Sequence, residues 1–399
     1  MKVATYSSTT NSARHKLLVV ELEPAPYKYD LWNEFAKCNW CDVNVLFTTA
    51  KNWAPDGGHN FQDLPVARFS FKLFRGKGIR SLFSSTRTLI RQVFGWKPDF
   101  VFISGYVDLV PLIAIILCII LKIKYSIHSD IFNNDPPGNH SDYFKHLLRK
   151  LLRTLIFRTS EAVLTCGKLG YDSAIVAGCP EGNIHDFPYV VDPQRLLTDK
   201  PTDVPDICRI DLDASKIIIL FSGRLIQRKG LDTLLSAVSL LHDTNNWVLW
   251  IEGDGPLLSE YRIKAKLLGI DMNCRFLGFS QMALHSWLLR NSDIVVVPSL
   301  IDSWGIVVDE GMQLGKVVIT SDATGSGADR IIDGVNGLLF RPTNHRELAD
   351  KIRMLMIKAN GRITLGNNAK RTAAAFGPRK NVETVYGFLN IAENVKEHV

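Results

Sequence analysis

Ten short β-branched runs, each followed by a longer stretch with helical spacing, recur along this chain in two series. The first series is KLLVVE (16–21), VNVLFT (43–48), DFVFIS (99–104), KYSIHS (124–129) and EAVLTC (161–166). The second is KIIILFSG (216–223), WVLWIEG (247–253), CRFLG (274–278), DIVVVPS (293–299) and KVVITS (316–321). Strands that are apolar at nearly every position have no face to give to water, so they belong to parallel sheets covered by helices on both sides. At 399 residues the chain is also too long for one ordinary core. The expected fold class is α/β, with two Rossmann-like domains, residues 1–190 and 191–377, facing each other across a cleft. Residues 190–213 carry three prolines and six aspartates without helical periodicity, and are the predicted hinge. Parallel sheets bind ligands beyond the carboxyl ends of their strands, so function is sought in the residues that follow strands.

Charge is uneven along this frame. Residues 1–190 hold 22 Lys/Arg against 16 Asp/Glu, whereas 191–399 hold 25 against 24. Two N-terminal segments, 68–97 and 143–158, combine eight and five basic residues with Phe and Leu and contain no acid. That mixture suits an anionic membrane surface, and it equally describes the solvated basic face of ordinary amphipathic helices. No helix-turn-helix, RNP or zinc-finger pattern appears, so nucleic acid is not an expected partner. The most apolar run, LVPLIAIILCIIL (109–121), has 13 residues where a bilayer span needs about 20, and is read as a buried crossover helix. The seven cysteines are scattered, the single CxxC (Cys38, Cys41) has no partner pair for a zinc site, and no leader pattern opens the sequence. The expected location is a reducing cytoplasm, with peripheral contact at the inner face of the cell membrane.

The stretch PSLIDSWGIVVDEGMQLGKVVITSD (298–322) places Asp302 and Glu310 around an apolar run behind a buried strand. A helix is predicted from Ser303 or Trp304 to Leu314, stopped by Gly315. The amides of Trp304, Gly305 and Ile306 then fall in its first turn, where unpaired N–H groups and the helix dipole attract an anion, and Gly305 admits close approach. Along such a helix Glu310 lies about 12 Å from Asp302 at about 1.5 Å per residue, too far for both to act on one bond but suited to a long ligand. Asp302 is alternatively a helix cap, and Asp309, about 100° around from Glu310, is predicted to be solvated. In LFSGRLIQRKGLDTLL (220–235), Gly223 ends a strand and Arg224 and Lys229 stand in the following loop, two cations able to stabilise a departing diphosphate without a metal. An Asp211–Asp213 pair resembles a metal-binding DxD but lies in the predicted hinge, ahead of a strand.

From about residue 160 to 345 these motifs, in order, resemble the retaining group 1 glycosyltransferases of the family-four type, which have the GT-B fold. SGRLIQRKG resembles that family's diphosphate loop, WIEGDGP its Gly-rich strand end with Gly253, and RFLGF the segment beside the nucleotide base, ending at Phe279. The 298–322 stretch resembles its E-x7-E motif, with Asp302 in place of the first glutamate. The resemblance implies that Arg224 and Lys229 hold the diphosphate, Glu310 the ribose hydroxyls and Asp302 the donor hexose. His128, at the end of YSIHSD, is similar to the family histidine that faces the transferred sugar. Where many relatives have a Gly-rich loop after the first strand this chain has EPAPYKYDLWNEF (23–35), which suggests acceptor contacts from Tyr27, Lys28 or Tyr29. The last segment, 378–399, is expected to be a helix that crosses back to the N-terminal domain.

The resulting expectation is a retaining, metal-independent hexosyltransferase without cofactor. It would use a nucleotide diphosphate sugar, a UDP-sugar first, and a saccharide or lipid-linked saccharide acceptor in surface polysaccharide or glycolipid synthesis. A nucleotide-sugar epimerase of similar architecture and a non-catalytic nucleotide-sugar or glycan-binding subunit are the alternatives. A dinucleotide-dependent dehydrogenase is disfavoured, because no G-x-G-x-x-G follows the first strand.

Overall fold

The computed structural model describes residues 14–48, 64–74, 79–132, 140–198, 201, 203–213, 216–241 and 246–394. The basic segments 68–97 and 143–158 and the final 378–399 segment fall partly outside the described residues or their side chains.

In the first lobe the strands are β1 (His15–Glu21), β2 (Cys41–Phe47), β3 (Ser70–Leu73), β4 (Phe100–Ser104), β5 (Lys124–His128), β6 (Ala162–Thr165) and β7 (Ile184–Asp186), in the order β3-β2-β1-β4-β5-β6-β7. The second lobe holds β8 (Ile217–Ser222), β9 (Trp247–Glu252), β10 (Cys274–Gly278), β11 (Ile294–Val297), β12 (Val317–Ser321) and β13 (Leu338–Phe340), in the order β10-β9-β8-β11-β12-β13. Every pairing in both sheets is parallel. Alternate residues of one strand feed opposite cores. Leu17 and Val19 join one cluster and Leu18 and Val20 another; in the second lobe Leu249 and Ile251 part in the same way from Val248 and Trp250. Unbroken apolar strands are therefore what burial on two faces requires.

Both sheets reverse direction of growth beside their first strand, between β1 and β4 and between β8 and β11. Such reversals open a crevice at the carboxyl ends of the strands, where ligands of doubly wound sheets bind.

Three differences from the sequence reading have local causes. The Leu109–Leu121 helix is buried only along Val110, Pro111, Ala114, Ile115 and Cys118, and leaves Ile116 and Ile120 exposed. Residues 190–213 contain two helices, Pro193–Thr198 and Asp206–Asp213, whose Leu196 and Cys208 are fully buried in the second lobe's core. Asp211 is fully buried and accepts hydrogen bonds from Trp250 Nε1 at 3.1 Å and a forked pair from Arg275 at 3.0 and 3.1 Å, so it is a structural anchor.

The chain then returns. The Pro378–Asn394 helix packs Val382, Val385 and Phe388 into the first lobe's core, and the fully buried Asn381 donates from Nδ2 to the Pro188 carbonyl at 2.8 Å.

Candidate active site

The strand ends of the second lobe meet at one rim. Gly223 N–H donates to the Glu252 carbonyl at 3.0 Å and Gly253 N–H to the Gly278 carbonyl at 2.7 Å. Gly253 has φ +127°, and a Cβ there would lie 1.9 Å from the Gly223 carbonyl oxygen, so only glycine allows the two loops to touch. Leu300 N–H donates to the Arg228 carbonyl at 2.8 Å, which draws the 223–230 loop against the loop after β11. The Ile306–Gln313 helix starts two or three residues later than expected: Gly305 is its N-cap with φ +82°, and Ile306 and Val307 lie in its first turn. Trp304 and Gly305 precede the helix. Asp302 does not cap it, since no side chain does.

The Arg224 side chain is exposed and makes no hydrogen bond or ion pair among the described residues. Lys229, by contrast, is held 2.5 Å from Asp302 Oδ2, and Arg228 Nη1 lies 3.5 Å from Asp302 Oδ1. Asp302, 6% exposed, thus faces a basic side chain of the 223–230 loop on each oxygen. Ser303 reaches across the cleft, its hydroxyl 3.1 Å from Asp130 Oδ2. Trp304 is a core residue, with Nε1 2.8 Å from Asp309 Oδ2 and the Arg330 guanidinium 4.7 Å above its ring. Asp309 was expected in solvent and is instead 2% exposed, ion-paired to Arg330. Burial raises its carboxyl to about 6, with Arg330 pulling the other way. Phe279 is 49% exposed just past β10.

Glu310, 6% exposed, accepts from His285 Nε2 at 3.0 Å, and Arg195 Nη2 lies 4.0 Å from its other oxygen. His285 Nδ1 is 2.8 and 3.0 Å from the two oxygens of Glu252, the last residue of β9. Arg195 in turn forks onto Asp30 of the first lobe at 2.9 and 3.1 Å. Burial lifts the Asp30 carboxyl to about 6 in spite of that arginine.

On the opposite wall His128 ends β5 and is 5% exposed; burial holds its imidazole below the usual value, so it is neutral at neutral pH. Its Nε2 is 3.5 Å from Cys166 Sγ, and Asp130 accepts from Tyr189 and Ser303 hydroxyls. His128, Asp130 and Cys166 offer ligand-type atoms within 4.8 Å of one another. Both Asp130 oxygens already take hydroxyl donors, and burial pushes the Cys166 thiol well up, so the trio is satisfied as a hydrogen-bonded cluster. Tyr27 packs against Tyr189 with ring centroids 4.7 Å apart, beside His128. Lys28 instead pairs with buried Glu21 at 2.7 Å, and Tyr29 stacks on Phe47 in the core, so neither faces the cleft.

Residues 209–372 match the family described as glycosyl transferases group 1. Over that segment, less than half of the chain, the protein is similar to group 1 glycosyl transferases. An uncharacterized glycosyltransferase of Methanocaldococcus jannaschii is 31% identical over 176 residues, 44% of this chain and 43% of that protein. A D-inositol 3-phosphate glycosyltransferase of Corynebacterium jeikeium is 30% identical over 177 residues, 42% of each. These matches span less than half the length of the curated relatives. HepE of Anabaena, solved in complex with UDP, superposes with a TM-score of 0.70 at 17% identity, covering 96% of this chain and 100% of that one. The two-lobed architecture is the GT-B fold.

The motif reading singled out Arg224, Lys229, Asp302, Ser303, Gly305, Ile306 and Glu310, which the structure places on the loops after β8 and β11 and the helix that follows, with Gly223, Gly253 and Phe279 at neighbouring strand ends. It missed Glu252, His285 and Arg195. Glu252 was visible as the lone carboxylate ending an apolar strand in WVLWIEG. His285 lies on the Met282–Asn291 helix, whose sequence gives no local sign of which face meets the site.

Proposed function

We propose that the protein is a retaining glycosyltransferase that moves a hexosyl unit from a nucleotide diphosphate sugar, of the UDP class, to a saccharide or lipid-linked saccharide acceptor. The observation that carries this reading is that the loop bearing Arg224, whose side chain has no partner among the described residues, is tied through Arg228 and Lys229 to the residues just ahead of the Ile306–Gln313 helix at the β8/β11 crevice. Backbone N–H groups and one uncommitted guanidinium make a site for a diphosphate, while Glu310 lies a turn further on for the ribose and Phe279 stands at the rim for the base. HepE, the similar Anabaena structure, was also solved with UDP-glucose, which supports a hexosyl donor.

Neutral His128 faces this rim from the other lobe and would accept or donate a hydrogen bond to a sugar hydroxyl. In the proposed step the acceptor hydroxyl enters on the face the diphosphate leaves. The bond from the anomeric carbon to the phosphate oxygen breaks, the new glycosidic bond forms, and the leaving phosphate takes the acceptor's proton. Arg224 and the helix amides stabilise the charge that develops, as fixed donors do in a dry site; Lys229 would join them by exchanging Asp302 for phosphate. Asp302 reaches less far towards a hexose than a glutamate would, and both its oxygens face the basic Lys229 and Arg228, so that contact depends on this exchange.

Radiolabelled UDP-glucose and GDP-mannose, incubated with the protein with and without a lipid extract, test the reading. Transfer to an acceptor, lost by at least about a hundredfold in Arg224→Ala and in Glu310→Gln, is the expected result. Donor converted without any acceptor would identify an epimerase, and donor bound but never consumed a binding subunit.

The same proposal extends to the membrane. Phe83, Ile90 and Phe94 are exposed along the Ile79–Arg91 helix and the turn after it, beside exposed Arg80, Arg87 and Arg91. Among the described residues no helix is long and apolar enough to cross a membrane, and this mixed surface suits peripheral attachment to anionic lipid.

A further inference from the structure

His285 lies between two carboxylates with one ring nitrogen on each: Nδ1 on Glu252 at 2.8 Å, Nε2 on Glu310 at 3.0 Å. An ionised carboxylate has only lone pairs to offer, so a neutral imidazole would set its own lone pair against one of them. Both nitrogens therefore carry hydrogen. Without the ring, two buried carboxylates would face each other and one would take up a proton. The other groups facing this cluster are Ser222 and Ser280, whose hydroxyls help to lower the Glu252 carboxyl, and Arg195, which stands beyond Glu310.

We propose that His285 and Glu252 are positioning residues for the nucleotide. The imidazolium fixes one oxygen of Glu310 and leaves the other, which has Arg195 no nearer than 4.0 Å, ionised and aimed to accept from the ribose hydroxyls. Glu252 supplies the charge that keeps the ring protonated. This rests on the reading in which Glu310 meets the ribose.

A pH dependence follows from the geometry. Burial alone would lower the imidazole, but Glu252 and Glu310 outweigh it and raise the ring well above 6.5. Grip on the ribose is then complete at and below neutrality and is lost as pH climbs through that raised value.

Isothermal titration with UDP and 2′-deoxy-UDP, or with GDP and 2′-deoxy-GDP should guanosine bind tighter, tests this from pH 6 upward. The wild type should prefer the ribonucleotide by roughly tenfold or more. His285→Gln should weaken UDP by roughly tenfold while leaving 2′-deoxy-UDP unchanged, and should flatten the alkaline loss of affinity. Glu252→Gln should keep the preference at pH 6 and shift the alkaline loss to lower pH, an effect that a packing role would not produce. The proposal is overturned if His285→Gln, or Glu252→Gln should the former not fold, keeps the wild-type preference together with the wild-type pH profile. If the wild type shows no ribose preference and Glu310→Gln binds as tightly, the ribose reading itself fails.

Discussion

Arg330 shows how much one buried charge depends on its neighbours. It is 5% exposed, pairs with Asp309 through Nη1, and is stacked between Trp304 and Phe376 at 4.7 and 4.3 Å. Removing it leaves Asp309 charged and dry, so Arg330→Ala should cost about 3–5 kcal/mol in urea denaturation. The double change Asp309→Leu with Arg330→Met should recover most of that loss, since no orphan charge remains. The sequence could not announce this pair. Helical spacing places Asp309 about 100° from Glu310, but only the fold shows that the 325–330 segment, not solvent, covers that side. Arg224 and Glu310 could be singled out because each belongs to a short motif that follows a strand. His285 was not, because its partners lie 33 and 25 positions away.

Among elements, the long apolar strands declared themselves, while β3, β7 and β13, of three or four residues, are too short to display a period. Their existence follows from neighbours: each is an edge or near-edge strand added to a sheet already templated. The start of the Ile306–Gln313 helix was misplaced for a different reason. Only glycine adopts the positive φ at 305 readily, and that residue, crowded against Thr324 Cγ2 at 2.4 Å from where a Cβ would stand, sets the true N-terminus. The Pro378–Asn394 helix belongs energetically to the first lobe. Phe388 lies 5.8 Å from the Phe100 ring, and Phe388→Ala should destabilise that lobe by about 3–5 kcal/mol, read from its urea transition.

For the whole molecule, the basic excess sits on the lobe opposite the proposed nucleotide rim. Charge reversal by Arg87→Glu and Arg91→Glu should release the protein from vesicles containing phosphatidylserine, by about 1 kcal/mol of binding for each basic residue removed. Sedimentation with neutral vesicles gives the baseline, and unchanged partitioning would make the surface an ordinary solvated one. The two-lobed plan was readable because apolar strand runs leave few alternatives; the contacts that join the lobes, Asp30 with Arg195 and Ser303 with Asp130, were not, because each depends on how two separately folded bodies meet.

The polypeptide passes between the lobes twice, once after β7 and once ahead of Pro378, and the hydrogen bond from Asn381 to Pro188 pins these two passages side by side. Like a door hung on paired pins, the halves retain one easy swing and resist twisting or sliding. Whatever enters at the free edge must therefore be met along a single arc, and each opening returns the walls to the same alignment.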